Sequence, residues 1–233
     1  MKPHWLMATM PSLIVSAAVD EFVGPREKMV REQIAARGMQ NPRVLEAMRA
    51  VPRHELVPKD LRARAYEDRP LPIGHGQTIS QPYIVAVMTE MLAPRPSDRI
   101  LEVGTGSGYQ AAVLARLVAE VYSIEIVAPL AERAKADLAR LGVQNVHIRA
   151  GDGYAGWPDR APFDAIIVTC APDRVPGPLI AQLREGGRMA IPVGETGEQT
   201  LYLLEKRSGQ MEQRAVLSVA FVPMTGEAAR SPR

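Results

Sequence analysis

The stretch Leu101–Gln110, LEVGTGSGYQ, narrows the folds open to this chain more than any other. Ile100 to Val103 is a short apolar run whose one charge is Glu102, the pattern of a strand buried on both faces. Gly104, Gly106 and Gly108 follow at once, and Tyr109–Val118 continues with helical spacing. Between a strand and a helix, Gly104 and Gly106 can take backbone angles closed to other residues and let main chain approach a ligand. Turn and helix start then offer unpaired N–H groups to a polar or anionic ligand end. Taken alone, the turn is a weak signal, because a tight connection with no ligand accounts for about one such loop in three. The next strand, Val121–Ile126, favours the ligand: Glu125 lies about twenty residues past the first glycine, where a ribose-binding acid sits in a doubly wound sheet.

The chain on either side agrees. Pro129–Leu141 reads as a helix closed by Gly142, Val146–Arg149 as a strand leading into Gly151-Asp152-Gly153, and Phe163–Thr169 as a buried strand. Leu179–Leu183 is a short helix, Gly186-Gly187 a stop, and Arg188–Val193 a further strand. Thr200–Lys206 and Ala215–Val222 form an antiparallel pair around Ser208-Gly209. Strands alternating with helices imply an α/β, doubly wound Rossmann-like fold, mostly parallel, with antiparallel C-terminal strands.

Before the glycine turn the pattern is helical. One helix runs from Gly24 to a stop at Gly38; a second begins Asn41-Pro42, buries Val44, Leu45, Met48 and Val51, and ends at Pro52. Arg53–Gln81 then reads as a long irregular connection, of the kind that is functional or disordered. It holds His75, Gln77, Thr78, Ser80 and Gln81 just before Pro82 restarts a helix. Ser80 is placed either to cap that helix or to face a ligand. His75, between two glycines, reads as a loop residue. At 233 residues the chain suits one domain, 22–233, divided into a helical appendage and substrate loop (22–80) and a cofactor-binding core (81–226). Residues 1–21 form an extension that is either a weak export signal or loose chain.

Composition excludes some classes. The net charge is +2 with no basic block, so nothing calls for nucleic acid or a membrane surface. Cys170 is the one cysteine, which rules out an intramolecular disulfide and a cysteine-rich metal site. Its apolar run Ala165–Cys170 suits a buried, unreactive thiol.

LEVGTGSGYQ, the acid of VYSIEI, GDG, FDAIIVTCAP and LREGGRMAIPVG, in this order, resemble the successive motifs of S-adenosylmethionine-dependent methyltransferases. GQTISQPYIVAVMTEML, with REKMVREQI before it and FVPMTG near the end, is similar to the protein-L-isoaspartate O-methyltransferase family over about residues 22–226. The resemblance implies a site residue by residue. Gly104, Thr105, Gly106, Ser107 and Gly108, with Glu102, would hold the methionine end of S-adenosylmethionine. Glu125 and Ile126 would hold the ribose side, and Gly151, Asp152 and Gly153 the adenine. Gln77, Thr78, Ile79 and Ser80 would cover the sulfonium, with Thr225 beside them. Thr78, Ser80, Val222, Pro223 and Met224 would meet the substrate, and Ser80 matches the active-site serine. Ala220 stands where the family pattern carries an arginine, so one contact near the peptide is missing. No metal is implied.

The implied acceptor is the free α-carboxylate of an isoaspartyl residue, ionised near neutral pH and able to attack a sulfonium methyl without a base. Ser80 is then a hydrogen-bond donor that aims the carboxylate. The ester would proceed through a succinimide to aspartate, and the partners would be isoaspartyl proteins and peptides met by a cytoplasmic monomer, or by an exported one if residues 1–21 act as a signal. Three readings share parts of the pattern: a methyltransferase on another acceptor, a nicotinamide-dependent oxidoreductase, and a cofactor-binding protein without catalysis. The sequence Thr169-Cys170-Ala171-Pro172 lacks the Asn/Asp-Pro-Pro-aromatic motif of base amino-group methylation, and no acid–base group suited to hydride transfer is evident.

Overall fold

A computed structural model describes residues 20–229. The expected extension 1–21 therefore lies almost wholly outside the described residues. The core is a seven-stranded sheet in the order β5-β4-β3-β6-β7-β8-β9. Its strands are β3 (Arg99–Val103), β4 (Glu120–Glu125), β5 (Val146–Ala150), β6 (Phe163–Val168), β7 (Leu183–Val193), β8 (Gln199–Arg207) and β9 (Gln210–Val219). Pairings from β5 to β7 are parallel, and those of β7 with β8 and β8 with β9 are antiparallel. The parallel part follows from near-continuous apolar strands such as Phe163–Val168, which only helices on both faces can cover. Helices α4 (Tyr109–Ala115), α5 (Ala128–Arg140) and α6 (Gly177–Gln182) make three of the crossovers.

Two strand boundaries differ from the sequence reading. Gly186-Gly187 is not a stop: it lies inside β7, where the pairing with β6 slips between Phe163 and Ala165. A Cβ on Gly187 would stand 2.8 Å from both the Arg184 carbonyl and the Leu183 side chain, so the irregular strand needs glycine there. Strand β9 begins five residues early, directly after Ser208 and Gly209, whose positive φ angles of 50° and 76° make a two-residue hairpin turn. Its mostly polar start, Gln210–Arg214, obscured the strand because only Met211 of these five residues packs on the core.

The N-terminal segment packs on this sheet as a second layer. Helix α1 (Val23–Lys28) continues without a break as a π-helical stretch, Met29–Ile34, and a 3₁₀ turn, Ala35–Arg37, that ends at Gly38 with φ 94°. Helix α2 (Pro42–Ala50) is capped by the Asn41 side chain, which accepts from the N–H groups of Arg43 and Val44, as Asn-Pro implies. The long connection is more ordered than expected: 3₁₀ turns at Arg53–Leu56 and Lys59–Arg64 precede a small hairpin of β1 (Leu71–Gly74) and β2 (Gln77–Ile79). Met29, Ile34, Met48, Leu71 and Ile73 share one hydrophobic cluster with Ile100, Leu114 and Ile167 of the sheet layer. Arg53 is at the seam, fully buried, its Nε donating to the Ala65 carbonyl at 2.7 Å and its guanidinium 4.8 Å from the Tyr109 ring centroid. Burial lowers that guanidinium to about 10.

Candidate active site

Strand β3 lies between β4 and β6, so the chain leaves β3 on one side and returns on the other. Carboxyl ends of the strands around that reversal open a cleft, the usual ligand position in such a sheet. Gly104 turns out of β3 with φ 98°, and a Cβ on it would lie 2.4 Å from Thr169 Oγ1. That hydroxyl instead donates to the Gly104 carbonyl at 2.6 Å, which is why only glycine fits. Glu125 closes β4 and is 4% exposed. Its carboxylate accepts from the Gly106 N–H at 2.7 Å and the Val127 N–H at 2.9 Å, tying glycine turn and second strand into one rigid unit.

Beneath the turn is a buried polar chain. The Ser123 hydroxyl donates to Glu102 Oε2 and shares a 2.5 Å hydrogen bond with Thr105. Glu102 Oε1 has no partner among the described residues. Burial pushes the Glu102 carboxyl up to about 8, the nearby Glu125 charge adding to the effect and the Ser123 hydrogen bond opposing it.

Gln77, Thr78, Ile79 and Ser80 line the cleft from one side, Gly104 to Ser107 from its floor, and Glu125, Ile126 and Gly153 from the far end. Val222, Pro223, Met224 and Thr225 form the remaining wall. They are held there because the Ala171 N–H donates to the Val222 carbonyl and the Met224 N–H to the Ala171 carbonyl, at 2.9 and 2.7 Å. Four expected residues are not in the lining. Glu102 is wholly buried under the turn. Gly108, with φ 81°, starts α4 and packs on Leu138 and Ala134 of α5. Gly151 and Asp152 stand behind Gly153, where the Asp152 carboxylate accepts from the Tyr154 N–H at 2.9 Å and the Glu227 N–H at 2.7 Å. Asp152 thus fastens the C-terminal segment to this turn.

The lining also includes Val85, Tyr109, Gln110, Thr169 and Cys170, which sequence reasoning did not single out. Thr169 and Cys170 follow β6 at the same strand edge, and the parallel order alone could have found them. Burial pushes the Cys170 thiol up to about 12, so it is inert as a nucleophile. His75 is exposed in the β1–β2 turn. Among the described residues no group of three His, Cys, Asp or Glu side chains can hold a metal ion, and no helix is long and apolar enough to cross a membrane.

A second cavity of about 500 Å³ adjoins the cleft, and Thr78, Ser80, Thr169 and Val222 stand in the wall they share. Ser80 does not cap the following helix α3 (Pro82–Met91): its N-cap is Gln81, and no side chain makes a cap hydrogen bond. The Gln81 amide donates instead to Asp68, at 2.8 Å to the carboxylate and 3.1 Å to the carbonyl. The Ser80 hydroxyl is left uncommitted between two open spaces. A cleft with a rigid glycine turn that admits a ligand against its backbone and a carboxylate acceptor can hold a polar cofactor, and the adjoining groove can bring a second reactant to its edge.

Comparison with known proteins agrees with this geometry. The family model for protein-L-isoaspartate(D-aspartate) O-methyltransferase matches residues 25–229. A protein-L-isoaspartate O-methyltransferase of Opitutus terrae is 57% identical over 203 residues, covering 87% of each chain. One from Synechococcus sp. strain JA-2-3B'a(2-13) is 55% identical over 214 residues, 89% of this chain and 88% of its own. Among solved structures, a protein-L-isoaspartate O-methyltransferase superposes with a TM-score of 0.80 at 32% identity, over 87% of this chain and 67% of its own. A Plasmodium falciparum structure described as a beta-aspartate methyltransferase in complex with S-adenosyl-L-homocysteine gives 0.74 at 26% identity, over 86% and 98%.

Proposed function

The chain belongs to the protein-L-isoaspartate(D-aspartate) O-methyltransferase family, and from that premise we propose that it is a protein repair enzyme. It transfers a methyl group from S-adenosylmethionine to the free α-carboxylate of L-isoaspartyl residues in damaged proteins and peptides. The observation that carries the reading is the shared wall: Ser80, with a hydroxyl not spent on capping, stands between the cleft at the glycine turn and an open groove. The cleft suits this cofactor by its lining. The glycine turn leaves the backbone from Gly104 to Gly106 open to close approach, Glu125, already anchored by the Gly106 and Val127 N–H groups, keeps lone pairs for hydroxyls, and half-exposed Ile126 supplies an apolar face. At Gly153 a Cβ would press 2.4 Å from Val103 Cγ1, so the floor there is kept free of side chain.

When bound, S-adenosylmethionine supplies an electrophilic methyl on a sulfonium, with a neutral thioether as leaving group. The residues of the chain then need only orient and dry the reaction. Thr78 and Ser80 hold the acceptor carboxylate, the Ser80 hydroxyl donating to one oxygen so that the other faces the methyl. The carboxylate arrives ionised, so no proton has to be removed before it attacks the methyl. Val222 to Thr225 bound the peptide by main chain and permit many flanking sequences. The ester so formed cyclises with loss of methanol to a succinimide, whose hydrolysis returns part of the material to aspartate.

We assign residues 22–233 to one domain, with 22–80 as appendage and substrate loop and 81–226 as cofactor core; the hydrophobic cluster common to both layers supports this. Action on peptide segments as a cytoplasmic monomer belongs to this reading, and the near-balanced charge favours a client other than nucleic acid. The test is transfer of labelled methyl to two peptides that differ only in isoaspartate or aspartate at one site. Label on the isoaspartyl peptide alone is expected. Cofactor binding with label on neither would keep the fold and sink the repair function.

A further inference from the structure

The groove beside Ser80 carries one charged side chain. Arg37 ends the N-terminal helical run just before Gly38 and lines the cavity with Pro70, Tyr83, Ile84 and residues of the β9 end. Its guanidinium lies 4.0 Å from the Tyr83 ring centroid, and Nη1 donates to Asp68 Oδ2 at 3.0 Å. The other oxygen of Asp68 takes the amide of Gln81, the residue after Ser80, so Arg37 is tied to the reactive loop through one carboxylate. Among the described residues no acceptor is recorded for Arg37 Nε or Nη2.

We propose that Arg37 is a specificity-determining residue, which makes this groove favour isoaspartyl segments that carry an acidic side chain close to the isoaspartyl site. The inference rests on the functional reading above. Stacking and the single ion pair already fix the guanidinium, so a client carboxylate can use the remaining edge of the fork with little further loss of side-chain freedom. Every other side chain in the lining is apolar or neutral, and Arg37 is therefore the one ionic contact on offer. Asp68 offsets part of its charge without covering that edge. A basic client residue, by contrast, meets a like charge that Asp68 only partly offsets. Arg37 is 43% exposed, so the preference is modest, about three- to fivefold in kcat/KM.

Four peptides test this, each with the same isoaspartyl site and either Glu or its neutral isostere Gln, two residues before or two after it. On one flank the Glu peptide is expected to exceed the Gln peptide about three- to fivefold, through KM and less so at high salt. Arg37→Gln should bring that ratio to about one, and Asp68→Asn, which frees Nη1, should enlarge it. The ratio is taken within each variant, so any general loss of stability cancels. Equal rates for Glu and Gln on both flanks overturn the inference, as does a preference that survives Arg37→Gln undiminished. A wild-type enzyme that methylates no isoaspartyl peptide would instead remove the functional reading, and the specificity with it.

Discussion

Replacing Glu102 with Gln isolates the energetics of the carboxyl buried under the glycine turn. In the folded chain this group ionises at about 8 against an ordinary 4.5, because burial penalises its charge. Between those values the folded state holds a proton that the unfolded state has released. The contribution of Glu102 to stability is therefore highest below pH 4.5 and falls as pH rises, with the loss complete only above about 8. Each pH unit in that window removes about 1.4 kcal/mol, so the whole window is worth on the order of 5 kcal/mol. Gln has the same shape and no titration, so its stability lacks this component. At low pH the variant should be less stable by about 1–3 kcal/mol, because its amide is not fully satisfied beside Ser123. The assay is urea unfolding at intervals from pH 5 to 9 at constant ionic strength, read as the difference between the two proteins. That difference should narrow and then reverse in favour of Gln as pH rises. A flat difference would refute the reasoning, since it would mean that Glu102 is ionised across the range or reached by solvent.

Ser80→Ala should lower turnover roughly 10- to 100-fold while leaving cofactor affinity within about twofold, as expected for loss of a donor aimed at the acceptor; equal losses in both would refute that role. Gly153→Ala places a methyl 2.4 Å from Val103 Cγ1 and should weaken cofactor binding about tenfold with about 1–3 kcal/mol of lost stability. Calorimetry on the Gly153→Ala, Val103→Ala double variant should recover part of both, and no recovery would place the strain elsewhere. Asn41→Ala removes the acceptor for two N–H groups and should cost about 1 kcal/mol in unfolding free energy with specific activity unchanged.

The parallel sheet, the glycine turn and the acid at Glu125 were legible because each rests on a local rule: apolar strands, positive φ, and the distance along one strand–helix–strand unit. Gly186-Gly187 misled because a glycine pair ends an element or bends one with equal ease, and the difference lies in what Leu183 and Arg184 pack against. Ser80 was ambiguous in the same way, since capping and ligand contact ask for the same hydroxyl, and the backbone of Gln81 decides between them. Glu102 occupies a strand position whose side chain points away from the cleft, which a motif spelled along the chain does not register. Thr169 and Cys170 were missed because their importance comes from β6 lying next to β3, a long-range pairing.

Met224 is 6% exposed, yet it belongs to no strand of the sheet and is held to Ala171 by a short bridge of two backbone hydrogen bonds. The wall that completes both cavities is thus the last part of the described chain to be laid down and the part least woven into the sheet. Synthesis and quality control would see a finished sheet before the enzyme has an active site. Proteolytic trimming that stopped short of β9 would leave every strand of the sheet in place with nothing to hold its peptide. For this chain, abundance measured by antibody is consequently a poor proxy for repair capacity, and turnover reports an intact C-terminal wall.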